Sequence, residues 1–240
     1  MYDLETFTLR DMTEFGSALR KLGSGAESME EVANRIVHYI YDHLINRQTG
    51  QKSCALVRFY KTHPYGELDT ELREFAQTLL GDQSTSAEMK CLTLLATVGD
   101  KPEWNLRIKS VGHRAIPLPS EKVVTQIPMI SQLVRQFGLE VNTVLKPAPD
   151  LLLDLAQTSF NVFHVSDAVG SPYLPAQEEF VIPFKIKSAL GFGGILPSGH
   201  LFAIIIFSKV PITQAVAHMF KPVALNVKMT VISFEGAIFR

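Results

Sequence analysis

The sequence predicts an α+β fold: one antiparallel β-sheet with helices packed against it, a helical segment before it and a long helix after it. Three observations carry this expectation. Apolar residues recur at helical steps in several stretches, among them Val32, Ile36, Ile40 and Leu44. Between them lie short runs rich in β-branched, aromatic and other apolar residues: CALVRFYK (54–61), MKCLTLLATVG (89–99) and FNVFHVSD (160–167). Two further runs, Ser188 to Leu196 and His200 to Ser208, are joined by Pro197-Ser198-Gly199, a short hairpin connection.

The elements follow in order. RDMTEFGSALRKL (10–22) reads as a helix that stops at Gly23, and Gly23-Ser24-Gly25 as a joint. Ser28 and Glu31 form a capping box, in which the serine caps the first turn and the glutamate reaches back, opening a helix to about Ile45. After the strand at 54–61, Asp69 caps a helix through Leu72, Phe75, Leu79 and Leu80 to Gly81. That helix lies between two strands able to pair. Ser120 starts a helix with Val123, Ile127, Ile130, Val134 and Phe137 on one side, kinked at Pro128. Asp150 caps a short helix, LLLDLAQ. From Ile212 to the end of the chain, Val216, Met219, Val223, Val227, Val231, Phe234 and Ile238 make one apolar stripe. The expectation is a single long helix, with Pro222 as its point of interruption, part of which leaves the domain.

Charge and cysteine content exclude several function classes. With 23 basic and 24 acidic side chains the net charge is −1, so no global field attracts nucleic acid or an anionic membrane. Cys54 and Cys91 each sit in an apolar run and read as buried free thiols, and no Cys/His spacing suggests zinc. The start, MYDLETFTLRDM, is acidic and lacks the apolar core of a signal peptide. The most hydrophobic run, Leu201 to Phe207, is too short to span a bilayer, so a cytoplasmic domain is expected.

The glycines of ALGFGGILPSGH invite a nucleotide-binding reading that their neighbours reject. A P-loop needs Lys and Ser/Thr directly after its last glycine, opening a helix; here Ile195, Leu196 and Pro197 follow, and then another strand. Pro197 also stands where a dinucleotide-binding turn needs its third glycine. Glycines within a strand mark a bulge, or close approach of a ligand or another backbone, and Gly193 is the candidate. Ser171 occurs as VGSPY rather than GxSxG, and Pro172 forbids the elbow helix of a nucleophilic serine. His38 and His43 are five apart on one helix and cannot chelate together. Asp150 and Asp154 read as a cap and a solvated carboxylate. No set of titratable groups converges, so no catalytic residue, metal site or cofactor is expected.

The stretch FHVSDAVGSPYLPAQEEFVIPFKIKSALGFGGILPSGHLFAIIIFSK resembles the second half of a GAF domain. The matching features are Asp167 after a strand, Pro172-Tyr173 in the next loop, Phe180 before the basic KIKSAL, the hairpin, and Pro211 opening a helix that holds Ala224-Leu225. It is similar to the N-terminal sensory region of bacterial hybrid histidine kinases, and PAS-like domains share the layout. The chain departs from a minimal GAF domain in residues 1–25 and 100–157. The resemblance implies an N-terminal helical extension (1–25), a sensory domain (26–210) and a signalling or dimerisation helix (211–240). It further implies an unidentified small-molecule ligand held on one face of the sheet, a homodimer through the last helix, and a histidine kinase effector.

The candidate ligand-binding residues are Tyr173, Phe180, Phe184 and Phe192, since such sites are mostly apolar, with His164, Asp167 and Gly193 as polar or close-approach positions. Each also has an ordinary reading: core packing for the aromatics, a satisfied histidine at His164, an Asx turn at Asp167. Alternatives are a haem- or other cofactor-based sensor using His164 or His113, a dimerisation module filled by its own phenylalanines, and an enzyme on this scaffold. A bilin attached to cysteine is disfavoured, because neither cysteine lies in the lid region.

Overall fold

The computed structural model describes residues 1–82, 85–147 and 160–239; the helix expected after Asp150, with Asp154, lies outside the described residues. The fold is α+β, built on a six-stranded antiparallel sheet in the order β3-β2-β1-β6-β5-β4. Its strands are β1 (Cys54–Pro64), β2 (Lys90–Gly99), β3 (Ala115–Leu118), β4 (Phe160–Val165), β5 (Ser188–Ile195) and β6 (Leu201–Ser208). The expected pairing of β1 with β2 is present, with a register shift at Phe59/Tyr60.

β6 is buried along its whole length, which is why it reads as an unbroken apolar run rather than an alternating one. Its parity still divides the molecule into two layers. Phe202, Ile204 and Ile206 face a first layer, while Leu201, Ala203, Ile205 and Phe207 face a second. The first layer holds α1 (Leu9–Lys21), α2 (Met29–His43) and the C-terminal helices. The second is made of short pieces: α4 (Glu121–Thr125), α5 (Pro128–Gln136), α6 (Val141–Leu145) and a π-helical turn at Gln177–Val181. α3 (Thr70–Leu80) closes a third, smaller cluster around Leu72, Ala76 and Cys91.

Helix starts follow their side-chain caps. Thr8 and Asp11 form a reciprocal capping box on α1, and Asp69 accepts from Leu72 N–H at 2.8 Å. Ser28 accepts from Glu31 N–H at 3.2 Å, but the Glu31 carboxylate reaches one residue beyond the cap, to Glu27 N–H at 3.0 Å. The expected kink at Pro128 is a full break. Ile127 is extended, as the residue before a proline prefers, and Pro128 opens a new helix where its missing N–H costs nothing.

Two expectations at the chain ends are corrected. Residues 1–25 form no appended extension: Phe15 and Leu19 are fully buried in the same cluster as α2 and the sheet. The stripe from Ile212 is not one long exit helix. It forms α7 (Gln214–His218), α8 (Phe220–Val231) and a 3₁₀ turn at Ile232–Phe234, with Pro222 in the first turn of α8. The chain then folds back, and the carbonyls of Ala237 and Ile238 accept from Met29 and Glu30 N–H at 2.8 and 2.9 Å. These are orphan donors at the start of α2, so the terminus satisfies a helix end instead of leaving the domain.

Candidate functional site

Among the described residues, the second layer does not fill the space over the sheet. Between them lies a cavity of about 470 Å³, within the range of small-molecule sites. Its floor is the sheet itself: Leu56, Arg58 and Tyr60 of β1 alternate onto this face, beside Ala203 and Ile205 of β6. Its walls are aliphatic side chains of α4, α5 and α6, with Ile130 and Leu133 among them. Its mouth is bounded by Val111–His113 and by the turn that carries Phe180. Trp104, the only tryptophan of the chain, also lines it, 5.6 Å from the Phe180 ring and 4.6 Å from that of Phe184.

A few polar groups interrupt the apolar lining. The guanidinium of Arg58 donates to Tyr60 Oη and to Ser110 Oγ, both at 3.2 Å. Ser110 in turn donates to Gly112 O at 2.9 Å, tying the mouth segment to the strand below. Arg58 Nε is buried and has no acceptor among the described residues. His113 sits next in the same segment with φ +62°, a left-handed conformation uncommon outside glycine and asparagine. Although the residue as a whole is exposed, partial burial of the ring, and then the charge of Arg58, lower its pKa.

Of the residues proposed from sequence, Phe180 lines the cavity. Phe184 stands behind it against Trp104, and Tyr173 packs on the same cluster without lining the space. Asp167 is exposed and accepts a hydrogen bond from its neighbour Ser166 at 2.9 Å, not from a residue further along an Asx turn. Phe192 and His164 are turned to the first layer by strand parity. Phe192 is fully buried with its ring 5.3 Å from that of Phe220. His164 Nε2 lies 2.8 Å from Ile212 O, and its side chain borders a separate polar groove with His218 and Lys221. Gly193 serves a backbone approach: a Cβ there would stand 2.9 Å from Ala203 Cα and still closer to Phe202 O.

Sequence reading missed Arg58 and Trp104, although each left a signal. Arg58 is a cation set between the apolar residues Ala55–Val57 and Phe59–Tyr60 of its strand, at the same parity as Leu56 and Tyr60. Neither cysteine lines the cavity; burial pushes both thiols up to about 12, which keeps them protonated. A bilin tethered through cysteine therefore does not fit these residues.

No protein-family model matches the chain, and no curated protein is similar to it. Among solved structures it is similar to a free methionine-R-sulfoxide reductase from Neisseria meningitidis, at 10% identity over 95% of this chain and 92% of that one, with a TM-score of 0.48. It is similar to a bacteriophytochrome from R. palustris, at 11% identity over 96% of this chain and 39% of the other, with a TM-score of 0.44. A phycocyanobilin-bound GAF domain from a cyanobacterial phytochrome matches at 9% identity over 95% of this chain and 96% of that one, with a TM-score of 0.41. At these values the likenesses transfer neither a ligand nor an activity. Among the described residues, no helix is long and apolar enough to cross a membrane.

Proposed function

We propose that this chain is a non-catalytic sensory domain that binds a small, mostly apolar molecule between its sheet and its second helical layer. The observation that carries the reading is the cavity, walled by short helices and turns rather than by the long helices of the other layer. Short helices joined by breaks, as at Ile127-Pro128, rearrange at lower cost than a continuous one, so a ligand that fits one arrangement better shifts the population toward it.

The floor of the cavity is also the ceiling of the first layer. A ligand pressing on Ala203 or Ile205 acts on the same strand whose Ile204 and Ile206 pack toward α8. Output through residues 211–240 thus runs through the sheet. A histidine kinase as the receiver is implied by the resemblance of residues 163–209 alone.

The test uses Trp104 as an internal reporter. Titration with a panel of apolar molecules is expected to change its fluorescence and raise the melting temperature, and Phe180→Ala is expected to weaken that response. Phe192→Ala, which opens a hole in the other layer, should cost about 3–5 kcal/mol of stability without a specific effect on binding. A folded protein whose Trp104 responds to no member of the panel rejects the reading.

A further inference from the structure

We infer that the molecule bound in this cavity carries a single carboxylate, held by the guanidinium of Arg58; this rests on the cavity being the ligand site. Arg58 lines a space whose other walls are almost entirely leucine, isoleucine, valine and aromatic side chains. Two of its N–H donors are engaged, by the neutral oxygens of Tyr60 and Ser110. Nε–H is buried with no acceptor among the described residues. No ion pair among the described residues includes Arg58. Glu179, the one carboxylate on the described lining, is exposed on the π-helical turn and makes no ion pair with it.

A half-buried cation with no counter-charge among the described residues is costly unless an anion accompanies it. The guanidinium fork matches a planar carboxylate, and a charge-assisted pair in an apolar enclosure is among the stronger hydrogen bonds available. A phosphate would bring more charge and more acceptors than one guanidinium serves, and no lysine lines the cavity among the described residues. The volume beyond Arg58 is apolar, so the rest of the ligand is hydrocarbon or aryl. The class is an apolar monocarboxylic acid.

The experiment compares decanoate with decanol by Trp104 fluorescence and calorimetry, in the whole chain and in Arg58→Met. Methionine keeps the length of the stem and removes the charge, and the unliganded variant is expected to melt no lower than the wild type. Decanoate should bind at least about tenfold more tightly than decanol to the wild type, and about equally to Arg58→Met. Equal binding of both to the wild type would overturn the carboxylate while leaving the apolar site standing. A preference that survives in Arg58→Met would show that another group reads the charge and would overturn the role of Arg58. If neither molecule moves Trp104 in the folded protein, the cavity is not the ligand site and this inference falls with it.

Discussion

Gly193 shows how one missing side chain is used. It pairs with Ala203 across β5 and β6, and its Cα hydrogen faces the Phe202–Ala203 backbone so closely that no Cβ fits. Gly191, one pleat away, leaves space that Ile205 and Phe163 enter from the two neighbouring strands. The obstacle at Gly193 is backbone, which cannot rotate aside as Ile205 Cδ1 can. Gly193→Val is therefore expected to cost about 3 kcal/mol or more, seen as a lowered denaturation midpoint; an unchanged midpoint would refute the close approach. Gly199 is required for a different reason, φ of +80° in the β5–β6 turn.

The C-terminal segment shows how a correctly read pattern acquires an unexpected partner. The stripe Val223, Val227 and Val231 was expected to meet a second copy of the chain, and it is fully buried within its own domain. Val227→Glu should then not release a folded monomer. It places an unpaired carboxylate in the first layer, and a loss above about 4 kcal/mol is expected, a large part of the stability of an ordinary domain. The outer face of α8 carries Leu225 and Met229, 43% and 45% exposed. Leu225→Glu is expected to change stability by less than about 0.5 kcal/mol, and a dimer that uses this helix would dissociate with that variant. Chemical denaturation and sedimentation on the two variants separate these outcomes; a folded Val227→Glu monomer would restore the exposed-helix picture.

Across the molecule, charge is buried unevenly. One end of the sheet gathers Lys61, His63, Lys90 and His200 beneath the C-terminal tail, with His63 5.5 Å from the Phe239 ring and 6.1 Å from that of His200. Lys61 is only 2% exposed, and burial lowers its pKa to about 8. Burial, reinforced by Lys61, holds His63 well below the usual histidine range, and His200 is lowered to about 3; Glu67 and Glu235 are the acids near Lys61. Both histidines are thus neutral in the folded chain and titrate near 6.5 once unfolded. Between those limits the unfolded chain binds more protons, so the stability that the two histidines contribute is complete above about pH 6.5 and falls as the pH drops below it, by up to about 1.4 kcal/mol per pH unit for the fully buried His63. Among the described residues neither ring nitrogen of His63 has a geometrically sound hydrogen-bond partner, so His63→Phe should hold its stability at pH 7 and flatten the decline towards pH 5. Parallel declines for variant and wild type, followed by thermal melts, would exclude His63 as the source.

What the sequence determined by itself was local. The caps at Ser28 and Asp69, the apolar runs of β1 and β6 and the Pro197-Ser198-Gly199 hairpin are each encoded within a few residues, and the structure has them where the pattern put them. The failure of the glycine stretch as a phosphate loop was legible for the same reason. Local pattern also fixed which residues of a strand share a face, but not which face would lie under a cavity. Hence Phe192 and His164 were set beside Phe180, while the fold turns them to the other layer. Arg58, Trp104 and His113 meet only because the segment after β2 returns across β1, and the C-terminal stripe is buried only because α1, α2 and the sheet were already there to receive it. Periodicity states that an apolar face must be covered; the cover is chosen by packing between elements far apart in the chain, and that was decided by the tertiary structure.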